Sequence, residues 1–230
     1  MCNENNVTFD TEHQRVRCFA HIINLAAQDA LKSLKGTGPD SEEEVLNNKV
    51  PVGVIAKVRA SPQRRECFSM QCTVLKIKDL ELIPDIRTRW NSTYMMMNRA
   101  LYLCEPLHYM ASADNELKIY LLSDEDWNRI QEVESLMECF QTATLAMSEA
   151  NHPTLCQTIP IYNYLLDIIE DFIDQKKPSE DVVIAANNAK EKLLRYYPTS
   201  DGLVYIISTI LDPKNKMEYY YENGFDDYIY

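Results

Sequence analysis

The sequence predicts a mainly α fold, with a small mixed front segment followed by an all-helical half. Three observations lead there. Only five glycines occur in 230 residues, and glycine is the ordinary residue that most weakens a helix interior. Apolar residues recur at spacings of three and four through most of the chain, the mark of one buried helix face. One short apolar run, Leu80-Glu81-Leu82-Ile83 before Pro84, reads instead as a strand.

Taken in order, Arg15-Val16-Arg17 reads as a strand end. Phe19, Ile22, Ile23, Ala26, Ala30, Leu31 and Leu34 then form one face of a helix over about 18–35, stopped by Gly36. Residues 36–49 read as a loop, with Ser41 and Glu44 spaced for a capping box. Val52, Ile55, Ala56 and Val58 give a short helix that breaks at Ser61-Pro62. There Ser61 as N-cap and Pro62 at the first position open another helix to about Ile77. After the strand near 80–83, Asn91 or Ser92 is expected to cap a helix to about Met110.

The second half is helical throughout. Ser123 with Asp126 opens a helix carrying Trp127, Ile130, Val133, Met137, Phe140, Thr144 and Met147, ended near Asn151-His152-Pro153. Leu155, Ile159, Tyr162, Leu165, Leu166, Ile169 and Phe172 mark the next, with Pro160 starting or kinking it. Ser179, Val182, Val183, Ala186, Ala189, Leu193 and Leu194 mark a third. Leu203 to Leu211 is the last, stopped by Asp212-Pro213. A boundary is expected in a linker at 111–123, giving domains 1–110 and 111–230.

Composition excludes several classes. With 46% hydrophobic and 25% charged residues, the chain is neither disordered nor of low complexity. No apolar run approaches the roughly 18 residues of a membrane helix, so no membrane is expected as a partner. The first ten residues lack a secretory leader profile. Seven cysteines, an odd number, suit reduced thiols inside a cell.

Charge is uneven. Residues 1–100 hold 14 Lys+Arg against 12 Asp+Glu, and residues 101–230 hold 9 against 23. Ten of the basic residues and four acidic ones fall in 49–99. Phosphate would be repelled by the second half, so DNA contact is expected through 49–99 and a protein partner through 111–230. A solvated basic face is the plainer reading of 49–99.

Two clusters stand out. Cys18-x-x-His21 projects two potential ligands from one side of a helix, either half a zinc site or ordinary packing with Cys18 buried among Phe19 and Ile22. No second half of such a site is evident, and catalysis by a Cys–His pair lacks an orienting partner. Asp85-Ile86-Arg87-Thr88-Arg89-Trp90-Asn91-Ser92-Thr93-Tyr94 combines guanidinium groups with a large flat ring. The ring suits either base stacking or the anchoring of a helix start in the core. Gly-rich phosphate loops and a Gly-x-Ser-x-Gly elbow are absent from the sequence.

Three blocks together resemble the hAT-family transposases, in particular their RICESLEEPER-like, BED-finger-associated branch. They are Arg17-Cys18-Phe19-Ala20-His21-Ile22-Ile23-Asn24-Leu25, Thr88-Arg89-Trp90-Asn91-Ser92-Thr93-Tyr94 and Ile210-Leu211-Asp212-Pro213-Lys214-Asn215-Lys216. The resemblance covers about 15–220. It implies the late portion of an RNase H-like core with few strands, in 1–110, then most of an all-helical insertion, in 111–230. It also implies a nuclear location, a divalent metal held by three carboxylates, and DNA as partner.

The carboxylate set does not carry over. Asp10 sits in Phe9-Asp10-Thr11-Glu12, outside the family's context, and only Asp85 joins it as a candidate in the front segment. The expectation is therefore a transposase-derived DNA-binding chain without catalytic residues, metal ligands or cofactor. The alternative is an acidic helical interaction module. The resemblance assigns Trp90 to stacking on a flipped base and Arg89 to nearby phosphate, and gives Cys18, His21 and Asn24 a structural role. Arg87, Ser92, Lys57, Arg59, Arg64 and Arg65 complete the expected DNA-facing set.

Overall fold

The structure, a computed structural model, describes residues 18–34, 51–86, 89–148, 154–197 and 203–223. The expected strand end at 15–17, the loop at 36–49 with its Ser41 and Glu44 pair, the stop at Gly36, the segment 151–153, and Asp10, Arg87 and Thr88 lie outside those residues.

Helix α1 (Phe19–Ser33) buries Phe19, Ile22, Ile23, Ala26, Ala27 and Ala30 on one face. Helices α2 (Val52–Ala60) and α3 (Pro62–Val74) follow, separated by Ser61, whose side chain accepts the Arg64 N–H. α3 ends in a reciprocal pair of bonds, Lys76 N–H to the Thr73 carbonyl and Ile77 N–H to the Cys72 carbonyl. That closure needs a left-handed residue, and Lys76 supplies it at φ 56°.

An irregular segment then leads to α4 (Trp90–Tyr102) and α5 (Cys104–Ala113). One continuous helix to Met110 was expected, but it is broken at Leu103. Pro106 has no N–H to give the Tyr102 carbonyl, and its ring would crowd that carbonyl, so the chain restarts as α5.

Helix α6 (Asp124–Met147) starts with the expected capping box. Ser123 Oγ accepts the Asp126 N–H at 3.2 Å, and Asp126 Oδ2 accepts the Ser123 N–H at 3.0 Å. Three acids in its first turn, Asp124, Glu125 and Asp126, suit the positive end of the helix dipole. Helix α7 (Thr158–Lys176) has Pro160 in its first turn, where the missing N–H costs nothing. Helices α8 (Glu180–Arg195), α9 (Leu203–Leu211) and the short α10 (Glu218–Glu222) complete the order. Ser179 does not cap α8 with its side chain; its hydroxyl and N–H both bond Glu132 of α6.

The most extensive helix contact among the described residues joins α1 to α8. Both buried faces are rich in alanine: Ala26, Ala27 and Ala30 on α1, and Ala185, Ala186 and Ala189 on α8, all at 0% exposure. Small side chains permit close approach of two helix axes. Lys192 of α8 pairs with Asp29 of α1 at 2.8 Å beside this seam. α1 also rests on α6 and α4, and Phe19 meets the Tyr162 ring of α7 at 4.3 Å. A smaller apolar cluster of Ile159, Tyr205 and Tyr220 holds α9 and α10 to the start of α7.

Two expectations are corrected here. No strand forms among the described residues, so the front is helical with one irregular link, and the few strands of the expected core are not seen. Residues 111–123 do not separate a front core from a back core either. One cluster runs from Phe19 to Leu193 across that stretch, with Leu117 and Leu122 buried inside it. Asp114 and Glu116 pair with Arg64 of α3. The Tyr120 ring, in a 3-10 turn over Lys118–Tyr120, lies so close to Gly53 of α2 that a Cβ there would stand 2.2 Å from it.

Two outcomes follow for stability in urea. Gly53→Ala, normally favourable within a helix, is expected to destabilise by about 1–3 kcal/mol, because the ring cannot move aside cheaply. Ala186→Leu is expected to cost a similar amount, about 1–3 kcal/mol, by forcing α8 off its neighbours. An unchanged midpoint in either variant would contradict the packing described.

Candidate nucleic-acid interface

The expected interface is built on the link between α3 and α4. Leu82 is buried in this link, so its backbone lies against protein without a neighbouring strand. Its carbonyls are met by guanidinium groups. Arg59 of α2 donates to the Leu82 carbonyl and to Glu81 Oε1, the latter at 2.9 Å. Arg99 of α4 donates to the Glu81 carbonyl at 2.6 Å. Charge-assisted bonds of this kind replace a strand ladder. Arg59, expected to face DNA, is thereby committed to the fold.

Beyond the link, Arg89-Trp90-Asn91-Ser92-Thr93 forms a helix start. Trp90 is the first residue of α4 and is 4% exposed, with its ring edge-on to Phe140 of α6 at 6.3 Å. The expectation of a ring reachable by a base is therefore corrected: Trp90 anchors α4 in the core. Ser92 Oγ accepts the Ile86 N–H at 2.8 Å and lies 2.7 Å from the Arg89 carbonyl, within donating distance. Thr93 Oγ1 donates to Asp85 Oδ1 at 2.7 Å. Asn91 Nδ2 donates to Gln141 Oε1 of α6 at 3.1 Å. Asn91 and Ser92 thus sit inside the first turn, and the N-cap position belongs to Arg89, whose side chain makes no cap.

Arg64 is the second expected DNA contact used internally. Its Nε donates to Asp114 at 2.8 Å and its Nη2 to Glu116 at 2.7 Å. Bonds to Glu116 and then Asp114 hold the guanidinium above its ordinary pKa. The Glu116 N–H and then Arg64 hold the Asp114 carboxyl below the usual carboxylate range.

Lys57, Arg65 and Arg89 are exposed. Arg87 lies outside the described residues. Lys76 and Lys78 are exposed as well. In the sequence these two belong to the basic total of 49–99 without standing out, because nothing local separates a free lysine from a paired one.

Cys18 and His21 are both exposed beside the buried face of α1, so the expected burial of Cys18 is corrected. Cys18 precedes the first turn, where its carbonyl accepts the His21 and Ile22 N–H groups. Asn24 is half-buried and accepts from Gln28 at 3.4 Å. Among the described residues, Cys72 and Cys139 are the buried thiols; burial raises both, and that of Cys139 is pushed up to about 12, which keeps them neutral packing groups.

The divalent metal implied by the resemblance finds no fitting ligand set among the described residues. No three His, Cys, Asp or Glu side chains converge there, and Asp85 is engaged by Thr93. In the third block, Asp212 serves a turn after α9. Its Oδ1 accepts the Lys214 N–H at 2.9 Å, and its Oδ2 accepts Gln157 Nε2 at 3.2 Å and Asn215 Nδ2 at 3.1 Å. The Lys214 N–H leads the causes that depress its pKa.

Trp90→Ala is expected to cost about 3–5 kcal/mol of stability, read as a lower urea midpoint with or without DNA. A variant of wild-type stability would mean that the ring is not a core anchor.

The family model of the ZBED1 RNase-like helical domain matches residues 16–136, from α1 into α6 and across residues 111–123. A putative transcriptional regulator, tpeD, from Talaromyces stipitatus is 30% identical over 89% of this chain and 24% of its own length. A putative AC transposase from Zea mays is 29% identical over 93% of this chain and 25% of its own length. Zinc finger BED domain-containing protein 4 from Homo sapiens is 24% identical over 94% of this chain and 18% of its own length. The chain thus spans about a quarter or less of the length of these curated relatives. No solved structure matches. With the family model covering more than half of its length and hAT transposases and BED-type proteins aligned over most of it, the chain belongs to the ZBED1 RNase-like helical domain family.

Proposed function

We propose that this chain is a transposase-derived helical domain that contacts the DNA backbone without cutting or joining it, and that it acts in the nucleus. The observation that carries the reading is the set of exposed cations Lys57, Arg65, Lys76, Lys78 and Arg89 in one stretch of a chain whose remainder is strongly acidic. Lysine and arginine in such positions neutralise phosphates and release counterions, a sequence-independent mode of binding. The acidic half repels the same backbone and so turns the basic stretch toward it.

The contact is to phosphate rather than to bases. Trp90 is packed against Phe140, and Arg59 and Arg64 hold protein groups. The block that resembles the transposase motif supplies the helix start and the docking of α4, while cations around it supply the charge. A relative named as a transposase and one named as a transcriptional regulator support descent from a DNA-acting protein.

A second reading is favoured by the same internal pairing. Arg59 and Arg64 leave the basic stretch smaller than its sequence count, whereas residues 101–230 keep a large acidic excess. On that reading the acidic half docks a basic protein surface.

Binding of the full chain to a duplex separates the two across a salt series. The first reading expects log K to fall linearly with log salt, with the slope reduced by about 1 for each of Lys57→Gln, Arg65→Gln and Arg89→Gln. Absence of salt-sensitive binding, or slopes untouched by all three changes, would remove it in favour of the second.

A further inference from the structure

The apolar interior falls into two parts. Among the described residues, the main cluster, from Phe19 to Leu193, includes no side chain of α9 or α10. Those two helices pack instead on a second cluster, in which Ile159, Tyr205 and Tyr220 are buried and Leu155 is partly covered. The contacts of α9 are made chiefly with α7 and with a 3-10 turn over Leu155–Gln157 just before it. Three buried side chains take far less apolar area from water than the main cluster does, and so hold their helices correspondingly less firmly.

The seam between the two clusters is polar. Asn163 of α7 stands at it: its Oδ1 accepts the Tyr197 hydroxyl at 2.7 Å, and its Nδ2 donates to the Tyr219 hydroxyl of α10 at 2.9 Å. Asp212, just past α9, accepts Gln157 Nε2 at 3.2 Å and also the Cys156 thiol. Thr209 of α9, at 0% exposure, places its hydroxyl 3.1 Å from the Cys156 carbonyl. When the helices lift, bonds of this kind are exchanged for bonds to water, so each adds only modestly to the docking. Opening the main cluster has no such replacement, since its side chains are apolar.

Neither helix is long enough to stand alone. α9 has nine residues and α10 has five, below the roughly 12–15 at which an isolated helix is even marginal in water. Their helical form therefore rests on docking, and lifting and melting are one event. α9 also carries no charge over Leu203–Leu211, and Val204, Ile207 and Leu211 are exposed on its undocked side. Once lifted, it meets water with apolar side chains on every side, which favours the docked form.

We infer that α9 and α10 form a strap across the start of α7, and that it opens as one unit while the core closed by α1 and α8 stays folded. Opening uncovers Leu155 and Ile159 and frees the docked sides of Tyr205 and Tyr220, so an apolar surface hidden in the closed form is presented only in the open one. Units of this kind open at free energies below that of global unfolding. The exposed cations of the proposed DNA contact lie on α2, on α3, on the turn after it and at the start of α4. The strap carries none of them, so the inference stands apart from that reading.

The test is hydrogen exchange of the full chain, read by mass spectrometry along a urea series below the unfolding transition, beside Ile23→Val and Asp212→Ala. In wild type, peptides from α9 and α10 are expected to exchange more than about tenfold faster than those from α1 and α8. Their rate is also expected to depend less steeply on urea, because local opening exposes less surface. Ile23→Val weakens the main core in the closed and the opened strap alike. It is expected to speed exchange in α1 and α8 by about two- to tenfold and to leave α9 and α10 unchanged. Asp212→Ala removes bonds made only when the strap is closed, and is expected to speed exchange in α9 and α10 by about tenfold. Any of four results would overturn the inference: one rate and one urea slope for all four helices, acceleration of all four by Ile23→Val, no response of the strap to Asp212→Ala, or a wild-type strap with no protection at all.

Discussion

The seam between α1 and α8 is the contact on which the rest of the structure depends. These helices lie near opposite ends of the described chain, yet each buries its alanine-rich side against the helix bundle. Closing so long a loop costs entropy that grows only slowly with length, and burial of Phe19, Ile22 and Ile23, at about 1.5–3 kcal/mol each, offsets it. Once α1 is in place it supplies a wall to α4, α6 and α8 together. Without it, α4, α6 and α8 would lose the wall they share, leaving direct contacts such as Trp90 on Phe140 to join front and back.

That dependence explains where the sequence was readable. Helix faces depend on local spacing, so α1, α2, α6, α7, α8 and α9 are legible residue by residue, and so is the box formed by Ser123 and Asp126. The link at 80–86 was not. Its apolar residues suggest a strand, but pairing is decided by distant groups, and here Arg59 and Arg99 meet its carbonyls in place of a neighbouring strand. The expected boundary at 111–123 failed for the same reason. A change in charge balance along the chain says nothing about Tyr120 lying over Gly53 or Asp114 reaching Arg64.

The candidate site shows the same limit in electrostatic form. A sequence counts charges but does not show which ones are already paired. Asp29 holds Lys192, Asp181 holds Arg129, Glu170 holds Lys190, and Asp114 with Glu116 holds Arg64. Four acidic sites of the fold therefore serve as struts, and so do the cations opposite them. Trp90 carries a similar lesson, since a large ring next to arginines satisfies the requirements of base stacking and of core anchoring equally well until its neighbours are known.

What the pairing leaves over has a direction. Ion pairing leaves the net charge as it is, but it thins the basic stretch by committing Arg59 and Arg64 to acids of the fold. The exposed cations lie on α2, on α3, on the turn after α3 and at the start of α4, on the side of the chain that leads into the acidic helices. A charged ligand meeting such a molecule experiences a torque before it makes a contact. On the reading proposed above, a phosphate backbone is turned toward Lys57, Arg65 and Arg89. For the proposed DNA contact, the part of the helical scaffold is to carry these exposed cations on a fixed frame, and that frame rests on the core that α1 and α8 close.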